Sequence, residues 1–243
     1  MMWTSRSRKW YGTLDDTRRG EVLVENCSAK CVVTNDLCLL DFSDAVVFHL
    51  PDFRIWDLPP RRHSWQRWVF HMMETPKSIE YVDLNPVRDI FNWTMTYRSD
   101  SDVYVPYGRT VDHGTKPAAT KRDMKALWKT KSRTAVWLIS DCLSYSGRKT
   151  SVENSSSTWT STFMVNAVRA TFRRPELTPP MKHFERNYHF ILTFEDSICA
   201  EYVTEKLFTA LKYDIVPVVF GGANYSRIRT APLLHRRLCF RIF

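Results

Sequence analysis

Polar residues that could bind a phosphorylated ligand cluster directly after an apolar run at 190–194. The acidic segment 195–197 comes first, and the residues that follow it at short spacing are Tyr202, Thr204, Glu205 and Lys206. In a parallel sheet, ligands lie at the carboxyl ends of strands, where the first turn of the next helix presents free N–H groups. A lysine among hydroxyl groups at such a place could hold a nucleoside diphosphate.

Glu74 is a second candidate for chemistry, because its carboxylate follows the apolar run 68–72. Pro76 disfavours helix at Thr75, so Glu74 is predicted to lie where a strand passes into a loop. Burial beside aromatic side chains would raise the pKa of this carboxyl and suit it to act as a general base. An ordinary surface glutamate is the alternative interpretation.

The elements around these candidates are predicted to be short strands separated by polar loops. Residues 190–194 indicate a buried strand, apolar side chains recur at helical spacing from 200 to 213, and 215–220 indicate a second strand. This order is a βαβ unit and predicts a parallel sheet. Further strands are predicted at 45–49, 68–72 and 134–140, and a strand with alternating faces is predicted to lead into the acidic loop before residue 103.

Composition limits the class of protein. A chain of 243 residues, 44% hydrophobic and 14% aromatic, can form one large or two small globular domains. The sequence has no run of about 18 apolar residues, so we expect no membrane span, and the basic N-terminus is not typical of a signal peptide. The net charge of +9 suits a phosphorylated ligand, nucleic acid or an anionic membrane. A nucleic-acid motif with interleaved aromatic residues is absent, and a solvated basic surface is the alternative for most of the charge.

Cysteines and glycosylation sequons say less. None of the six cysteines has zinc-finger spacing, and their pairing cannot be deduced from sequence. Four N-x-S/T sequons permit a secretory compartment without proving one; they begin at Asn26, Asn92, Asn154 and Asn224.

Four stretches of the sequence resemble the α1,3/4-fucosyltransferases of glycosyltransferase family 10. Residues 188–222 carry the family's F-E-[DN]-S, Y-[VI]-T-E-K-L and V-P-V-V-x-G, and 43–49 match A-D-A-[VI]-[VI]-F-H closely. Residues 74–76 match E-[ST]-P, and 91–108 match F-N-x-T-x-T-Y-R-x-D-S-D-[IV]-x-x-P-Y-G over its whole length. A generic βαβ unit would explain the periodicity of the first stretch but not its polar residues.

The resemblance implies an α/β fold of the GT-B type, in which two Rossmann-like domains face a cleft. Residues 1–115 are then the acceptor-side domain, 116–125 a linker, and 126–243 an incomplete domain that binds GDP-fucose. The implied reaction is the inverting transfer of L-fucose from GDP-fucose to a sugar hydroxyl, namely O3 of a GlcNAc residue in a glycoprotein glycan. No cofactor is obligatory, and a divalent cation is at most stimulatory.

The resemblance also assigns residues to the donor and to the chemistry. Glu74 matches the general base of the family. Arg148 matches an arginine that enters a helix and grips the donor's phosphates, a task for which the bidentate guanidinium is suited. Lys206 is expected to stabilise the departing GDP, Glu205 to accept hydrogen bonds from the ribose, and Tyr202 to line the nucleotide pocket.

The acceptor side is expected to include His49, Tyr97, Arg98 and Asp100. His49 could instead cap or pack at the end of its strand. Asp100 and Asp102 could be read as a metal-binding D-x-D, but the resemblance implies catalysis without a bound metal. Asn92 matches a sequon position of the family pattern and is the expected glycosylation site.

The sequence departs from the family in three places. Asp196 stands where many members have asparagine, and its charge would weaken donor binding if it faces the diphosphate. Segments 154–179 and 229–243 lack the family pattern, but codons read one base earlier or later can restore it, so we expect a truncated or partly frame-shifted version.

The full-length protein is expected in the Golgi lumen, attached to the membrane only through an anchor absent from this sequence. Its partners are then GDP-fucose and a glycoprotein or oligosaccharide acceptor, and not nucleic acid. The alternatives are a catalytically inactive fragment, a sugar-binding protein that retains the motifs, or a nucleic-acid binder attracted by charge.

Overall fold

The computed structural model describes residues 1–3, 21–23, 28–29, 31–80, 83–110, 123–139, 146–155, 165–167, 181–228 and 240–241. The chain divides into unit 1, Met1–Val105, and unit 2, Pro106–Phe243. Each unit contains a parallel sheet, so the predicted α/β class is confirmed. Most of the expected linker at 116–125 and of the segments 154–179 and 229–243 lies outside the described residues. Within the described ranges, no helix has both the length and the apolar character needed to cross a membrane.

In unit 1, short strands alternate with short 3₁₀ helices. An antiparallel pair, β1 (Glu21–Leu23) and β2 (Val32–Thr34), comes first. The four parallel strands that follow lie in sequence order: β3 (Ala45–His49), β4 (Arg67–Met72), β5 (Trp93–Thr96) and β6 (Val103–Tyr104). The 3₁₀ turns span Leu37–Phe42, Leu50–Asp52, Ile55–Asp57, Pro76–Ile79 and Asn85–Val87.

The core of unit 1 explains why its apolar runs form strands. In β3, Val46 and Phe48 are fully buried while their neighbours are half-buried, as expected when one face of a strand meets the core. The next strand, β4, lies between two others and buries most of its side chains, Trp68 and Met72 among them. Both predicted strands are confirmed, and β4 begins one residue earlier than predicted.

The described residues of unit 2 form a parallel sheet of five strands together with four helices. The strands are β7 (Arg133–Ile139), β8 (Val165–Ala167), β9 (Tyr188–Phe194), β10 (Val216–Phe220) and β11 (Phe240–Arg241), in the spatial order β11-β10-β9-β7-β8. The helices are α1 (Met124–Thr130), α2 (Arg148–Ser155), α3 (Met181–Asn187) and α4 (Glu205–Ala210). Since β9 is central, its apolar run is buried on both faces. The predicted βαβ unit is confirmed in its two strands, β9 and β10.

The predicted helix at 200–213 is wrong at both ends, because α4 begins at Glu205 and ends at Ala210. Glu201 has a φ of 59°, in the left-handed region that a helix does not use. The N–H of Thr204 donates to the Glu195 carboxylate at 2.9 Å, which ties this loop to the end of β9. Tyr202 and Val203 are nevertheless buried. The helical spacing therefore indicated burial correctly but not backbone conformation.

Candidate functional site

Glu195 organises the carboxyl-terminal edge of the unit 2 sheet. It follows β9 directly, and its side chain is only 1% exposed. The N–H of Thr204 donates to Oε1 at 2.9 Å, and the Thr204 hydroxyl donates to Oε2 at 2.9 Å. Burial raises the pKa of the Glu195 carboxyl, whereas the Lys206 ammonium and the bonds from Thr204 act to lower it. Glu195 is not among the site residues predicted from sequence, although its place in the acidic segment after β9 was a signal.

Lys206 lies at the same edge, in the first turn of α4. Its Nζ lies 3.0 Å from Glu195 Oε2, 3.2 Å from Thr204 Oγ1 and 3.6 Å from Asp196 Oδ2. The Lys206 side chain is 26% exposed and that of Asp196 is 40% exposed, so the ammonium can be reached by solvent. A cation is therefore held between one buried and one partly exposed carboxylate.

Arg148 also reaches this edge. It is the first residue of α2, which agrees with the helix entry that the resemblance implies for this arginine. Its guanidinium is buried and Nη1 donates to the Phe194 carbonyl at 3.0 Å. Ser146 joins the two segments: its hydroxyl donates to the Glu195 carbonyl at 2.8 Å, and its N–H donates to the Asp196 carbonyl at 2.9 Å. The structure thus brings Arg148 and Lys206 together at the carboxyl end of β9.

Two glycines at the end of β10 allow the backbone to pack against the same loop. A Cβ added to Gly222 would lie 2.6 Å from the backbone oxygen of Cys199. A Cβ added to Gly221 would lie 2.4 Å from the Tyr225 hydroxyl and 3.2 Å from Glu195 Cγ. Any larger residue at these positions would push the Cys199–Glu195 region away from the strand end.

The other two residues expected at the donor lie on either side of the start of α4. Tyr202 is buried, and its ring meets that of Tyr107 edge-on at a centroid distance of 6.1 Å. Glu205 is the first residue of α4 and is exposed. Glu205 is therefore open to a ligand from solvent, whereas Tyr202 is covered.

Glu74 lies in unit 1 at the bend just after β4, as predicted. Its side chain is exposed, so the burial beside aromatic residues that the sequence suggested is not found. The reason is that β4 ends at Met72, and the chain turns to the surface before the buried Thr75. An exposed carboxylate at the end of a central strand is accessible to an incoming ligand.

Two histidines lie side by side at the same ends of β3 and β4. His49 is half-buried, its Nδ1 lies 2.7 Å from Asp52 Oδ2, and its ring centroid lies 5.7 Å from that of His71. His71 is 2% exposed. Burial, followed by the electrostatic effect of His49, lowers the pKa of His71 from 6.5 to about 3. His71 is not among the residues predicted from sequence, because one histidine within an apolar run carries no distinguishing pattern.

Two acidic residues in the loop after β5 accept hydrogen bonds from neighbouring residues of the same segment. Arg98 donates to both carboxylate oxygens of Asp100, with Nε at 2.8 Å from Oδ1, and this bond holds the pKa of Asp100 below its ordinary value. Asp102 accepts from the N–H of Thr94 at 2.8 Å and from its hydroxyl at 2.9 Å, which lowers the pKa of Asp102. In the part of the chain that the structure describes, no group of three or more His, Cys, Asp and Glu side chains could hold a metal ion.

The remaining residues expected on the acceptor side of unit 1 differ in exposure. Tyr97 is 5% exposed, whereas Asn92 is exposed. The Oδ1 of Asn92 accepts from the N–H of Trp68 at 2.9 Å and from Nη2 of Arg62 at 2.6 Å. These bonds use the amide oxygen and leave the nitrogen, to which a glycan would be attached, outside both of them.

Comparison with known proteins gives consistent matches along the chain. Residues 1–108 match the family described as "Fucosyltransferase, N-terminal", and residues 128–233 match "Glycosyltransferase family 10 (fucosyltransferase) C-term". α-(1,3)-Fucosyltransferase C of Drosophila melanogaster is 33% identical over 219 residues, covering 82% of this chain and 51% of that protein. α-(1,3)-Fucosyltransferase 7 of Homo sapiens is 33% identical over 198 residues, covering 79% and 54%.

The chain thus spans about half the length of the curated relatives it matches. A crystal structure of an α1,3-fucosyltransferase with GDP-fucose aligns with a TM-score of 0.41 and 17% identity, over 74% of this chain and 56% of that one. That structural similarity is too weak to support inference about the site.

Proposed function

The chain belongs to glycosyltransferase family 10, the fucosyltransferases, and from this premise we propose that it transfers L-fucose from GDP-fucose to O3 of a GlcNAc residue in a glycoprotein glycan. Unit 2 binds the donor and unit 1 presents the acceptor. The observation that carries this proposal is the convergence of Arg148 and Lys206 at the carboxyl end of β9, within a segment that matches the family.

The donor would bind at the edge described for unit 2. The carboxyl ends of parallel strands are where nucleotides bind in open α/β sheets. Lys206 is partly exposed there and can approach the diphosphate, while Glu205 is exposed and can accept hydrogen bonds from ribose hydroxyls. Arg148 is buried and bound to the Phe194 carbonyl, so its positive charge would act on the phosphates from the protein interior. Tyr202 would line the nucleotide pocket.

Glu74 would act as the general base of an inverting displacement. Its exposed carboxylate accepts the proton of the acceptor hydroxyl as that oxygen attacks the anomeric carbon of fucose and GDP departs. General-base assistance of this kind is typically worth about 10²–10⁴-fold in rate. His49, Tyr97, Arg98 and Asp100 would shape the acceptor side, with the Arg98–Asp100 pair held as a fixed polar surface.

The leaving group sets the electrostatic requirement. Negative charge builds on the GDP oxygen as the bond to fucose breaks, and positive groups placed in advance at that oxygen are usually among the largest contributions to rate. Lys206 and Arg148 supply this charge from the protein, so the proposed reaction needs no obligatory cofactor, and a divalent cation would at most stimulate it. The proposed location of the full-length enzyme is the Golgi lumen.

Transfer of labelled fucose tests this proposal. The protein is incubated with labelled GDP-fucose and a panel of acceptors that contains N-glycan core GlcNAc, outer-arm LacNAc and galactose-terminated sugars without GlcNAc. We expect label only on acceptors with a free O3 of GlcNAc, and product linkage analysis should give an α1,3 bond from the β-linked donor. Label on no acceptor would contradict the proposal.

If no fucose is transferred, binding measurements distinguish the three alternative functions. A sugar-binding protein would bind the glycans by calorimetry but not GDP. An inactive fragment would bind neither ligand. A nucleic-acid binder would be retained on DNA with a steep dependence on salt concentration.

A further inference from the structure

Glu195 is buried, and the proposed reaction does not yet use it. Three donors reach its two carboxyl oxygens, an arrangement that favours the carboxylate form. Its side chain is 1% exposed, and its bonds go to Thr204 and Lys206 on the segment that leads into α4. Placing a carboxylate in the interior costs free energy unless a cation and hydrogen-bond donors compensate it. One of these contacts must therefore compensate the cost of burying the carboxylate of Glu195.

The contacts to Thr204 do not need a charge. A neutral amide oxygen could accept from the N–H of Thr204, which lies 2.9 Å from Oε1, and a hydroxyl can reorient to suit a neutral partner. The ammonium of Lys206, 3.0 Å from Oε2, is the contact for which a negative charge matters. The charge of Glu195 is thus directed at Lys206.

The contact with Glu195 restricts the direction of the Lys206 ammonium. An ammonium has three N–H donors on a flexible four-carbon chain, so a single partner does not fix its direction. Glu195 Oε2 at 3.0 Å and Thr204 Oγ1 at 3.2 Å accept on the buried side. Asp196 Oδ2, at 3.6 Å and partly exposed, lies on the side open to solvent. Two of the three donors are therefore used on the buried side, which leaves the third for the side on which Asp196 lies.

We propose that Glu195 is a positioning residue for the transfer reaction, and that it aims the third N–H of Lys206 at the diphosphate of the donor. The ligand assigned to Lys206 here rests on the proposed function. Glu195 itself touches no substrate and acts through Lys206. Because burial and the neighbouring donors fix the carboxylate before the ligand arrives, Lys206 needs no reorganisation as charge develops on GDP.

A double-mutant cycle tests this coupling. Glu195→Gln keeps the volume and one acceptor for Thr204 but removes the charge, and Lys206→Ala removes the group it acts on. Loss of one preorganised donor to a developing oxyanion typically costs about 10²–10³-fold in kcat. We expect a fall of that order for each single variant, with KM for GDP-fucose changed less than kcat by Glu195→Gln, because Lys206 keeps its own charge and can still bind the diphosphate.

The decisive comparison is made in the Lys206→Ala background. There, Glu195→Gln should change kcat by less than about threefold, since its only route to the reaction has been removed. Multiplicative losses in the double variant would overturn the proposal, because Glu195 would then act independently of Lys206. Glu195→Asp, which keeps the charge, should recover at least part of the kcat lost in Glu195→Gln.

A second measurement does not depend on the variants folding or on the donor. Lysine acylation by a small reagent, followed by peptide mass spectrometry, reports how freely each ammonium is available in the wild-type protein. We expect Lys206 to react more slowly than Lys212, which is exposed just after α4. Equal reactivity would overturn the inference that Lys206 is held.

The failures of the two proposals are distinguishable. If wild-type protein transfers fucose but the cycle is multiplicative, the positioning role fails and the proposed function stands. If wild-type protein neither binds GDP nor transfers fucose while Lys206 is protected from acylation, the proposed function fails and the Glu195–Lys206 contact remains.

Discussion

The buried side chain of His71 should make the stability of the folded protein fall as pH is lowered. Its side chain is buried in β4, and its pKa is lowered from 6.5 to about 3. A depressed histidine pKa means that the unfolded chain binds more protons than the folded chain between these two values, so stability falls as pH is lowered below 6.5. The full contribution of His71 is present above pH 6.5, and it is lost progressively down to about pH 3.

The magnitude follows from linkage. One pH unit between the two pKa values corresponds to about 1.4 kcal/mol, and integration from pH 7 to pH 5 gives a loss of about 2 kcal/mol from this residue alone. Urea titrations of wild type and of His71→Gln at both pH values isolate the contribution, because the other titrating groups are shared. The wild type should lose about 2 kcal/mol more than the variant between pH 7 and pH 5.

His183→Gln is the matched control, because it removes an exposed histidine on α3. This variant should lose as much stability as the wild type over the same pH range. If His71→Gln folds poorly, the Cε1–H resonance of His71 in the wild type provides the answer by NMR. A resonance that titrates near pH 6.5, or equal acid losses in wild type and variant, would refute the burial argument.

Two further predictions concern unit 2. Lys131 is buried, and its ammonium donates to the backbone carbonyls of Glu185, Tyr188 and Asp214. In urea titrations, Lys131→Met should therefore lower the free energy of unfolding by about 2–5 kcal/mol. Lys129→Met, on the surface, should lower it by less than about 0.5 kcal/mol. An equal effect of the two substitutions would contradict the buried network. Asp196→Asn removes an anion 3.6 Å from Lys206 and should tighten GDP binding about fivefold at low salt, a gain that shrinks as salt is raised. Calorimetry that shows weaker or unchanged binding would place Asp196 away from the phosphates.

The strands were predictable from sequence because burial in a parallel sheet requires continuous apolar runs. β3 and β9 are examples, since both are short, apolar and bounded by polar residues. The position of Glu74 just after a strand followed from local sequence in the same way, whereas the position of Arg148 at a helix start was implied only by the resemblance to the family. These features depend on neighbours along the chain, which the sequence displays directly.

Features that depend on distant contacts were not predictable. The loop at 200–204 is set by the bond from Thr204 to Glu195, nine positions earlier, which competes with the helical spacing of Tyr202 and Val203. The role of Glu195 follows from the same contact. The burial of Lys131 depends on carbonyl groups up to 83 residues away, as at Asp214. Periodicity records which side chains are buried, but it does not record which polar groups satisfy one another.

The central claim is that Glu74 deprotonates the acceptor while unit 2 holds the nucleotide. Fucose transfer and GDP binding by Glu74→Gln test it most directly. Glu80→Gln is the matched control, since Glu80 is also exposed and pairs with Lys77, three residues before it. We predict that Glu74→Gln lowers kcat by about 10²–10⁴-fold and leaves GDP affinity unchanged, while Glu80→Gln alters neither. Unchanged turnover in Glu74→Gln, or an equal loss in Glu80→Gln, would contradict the account.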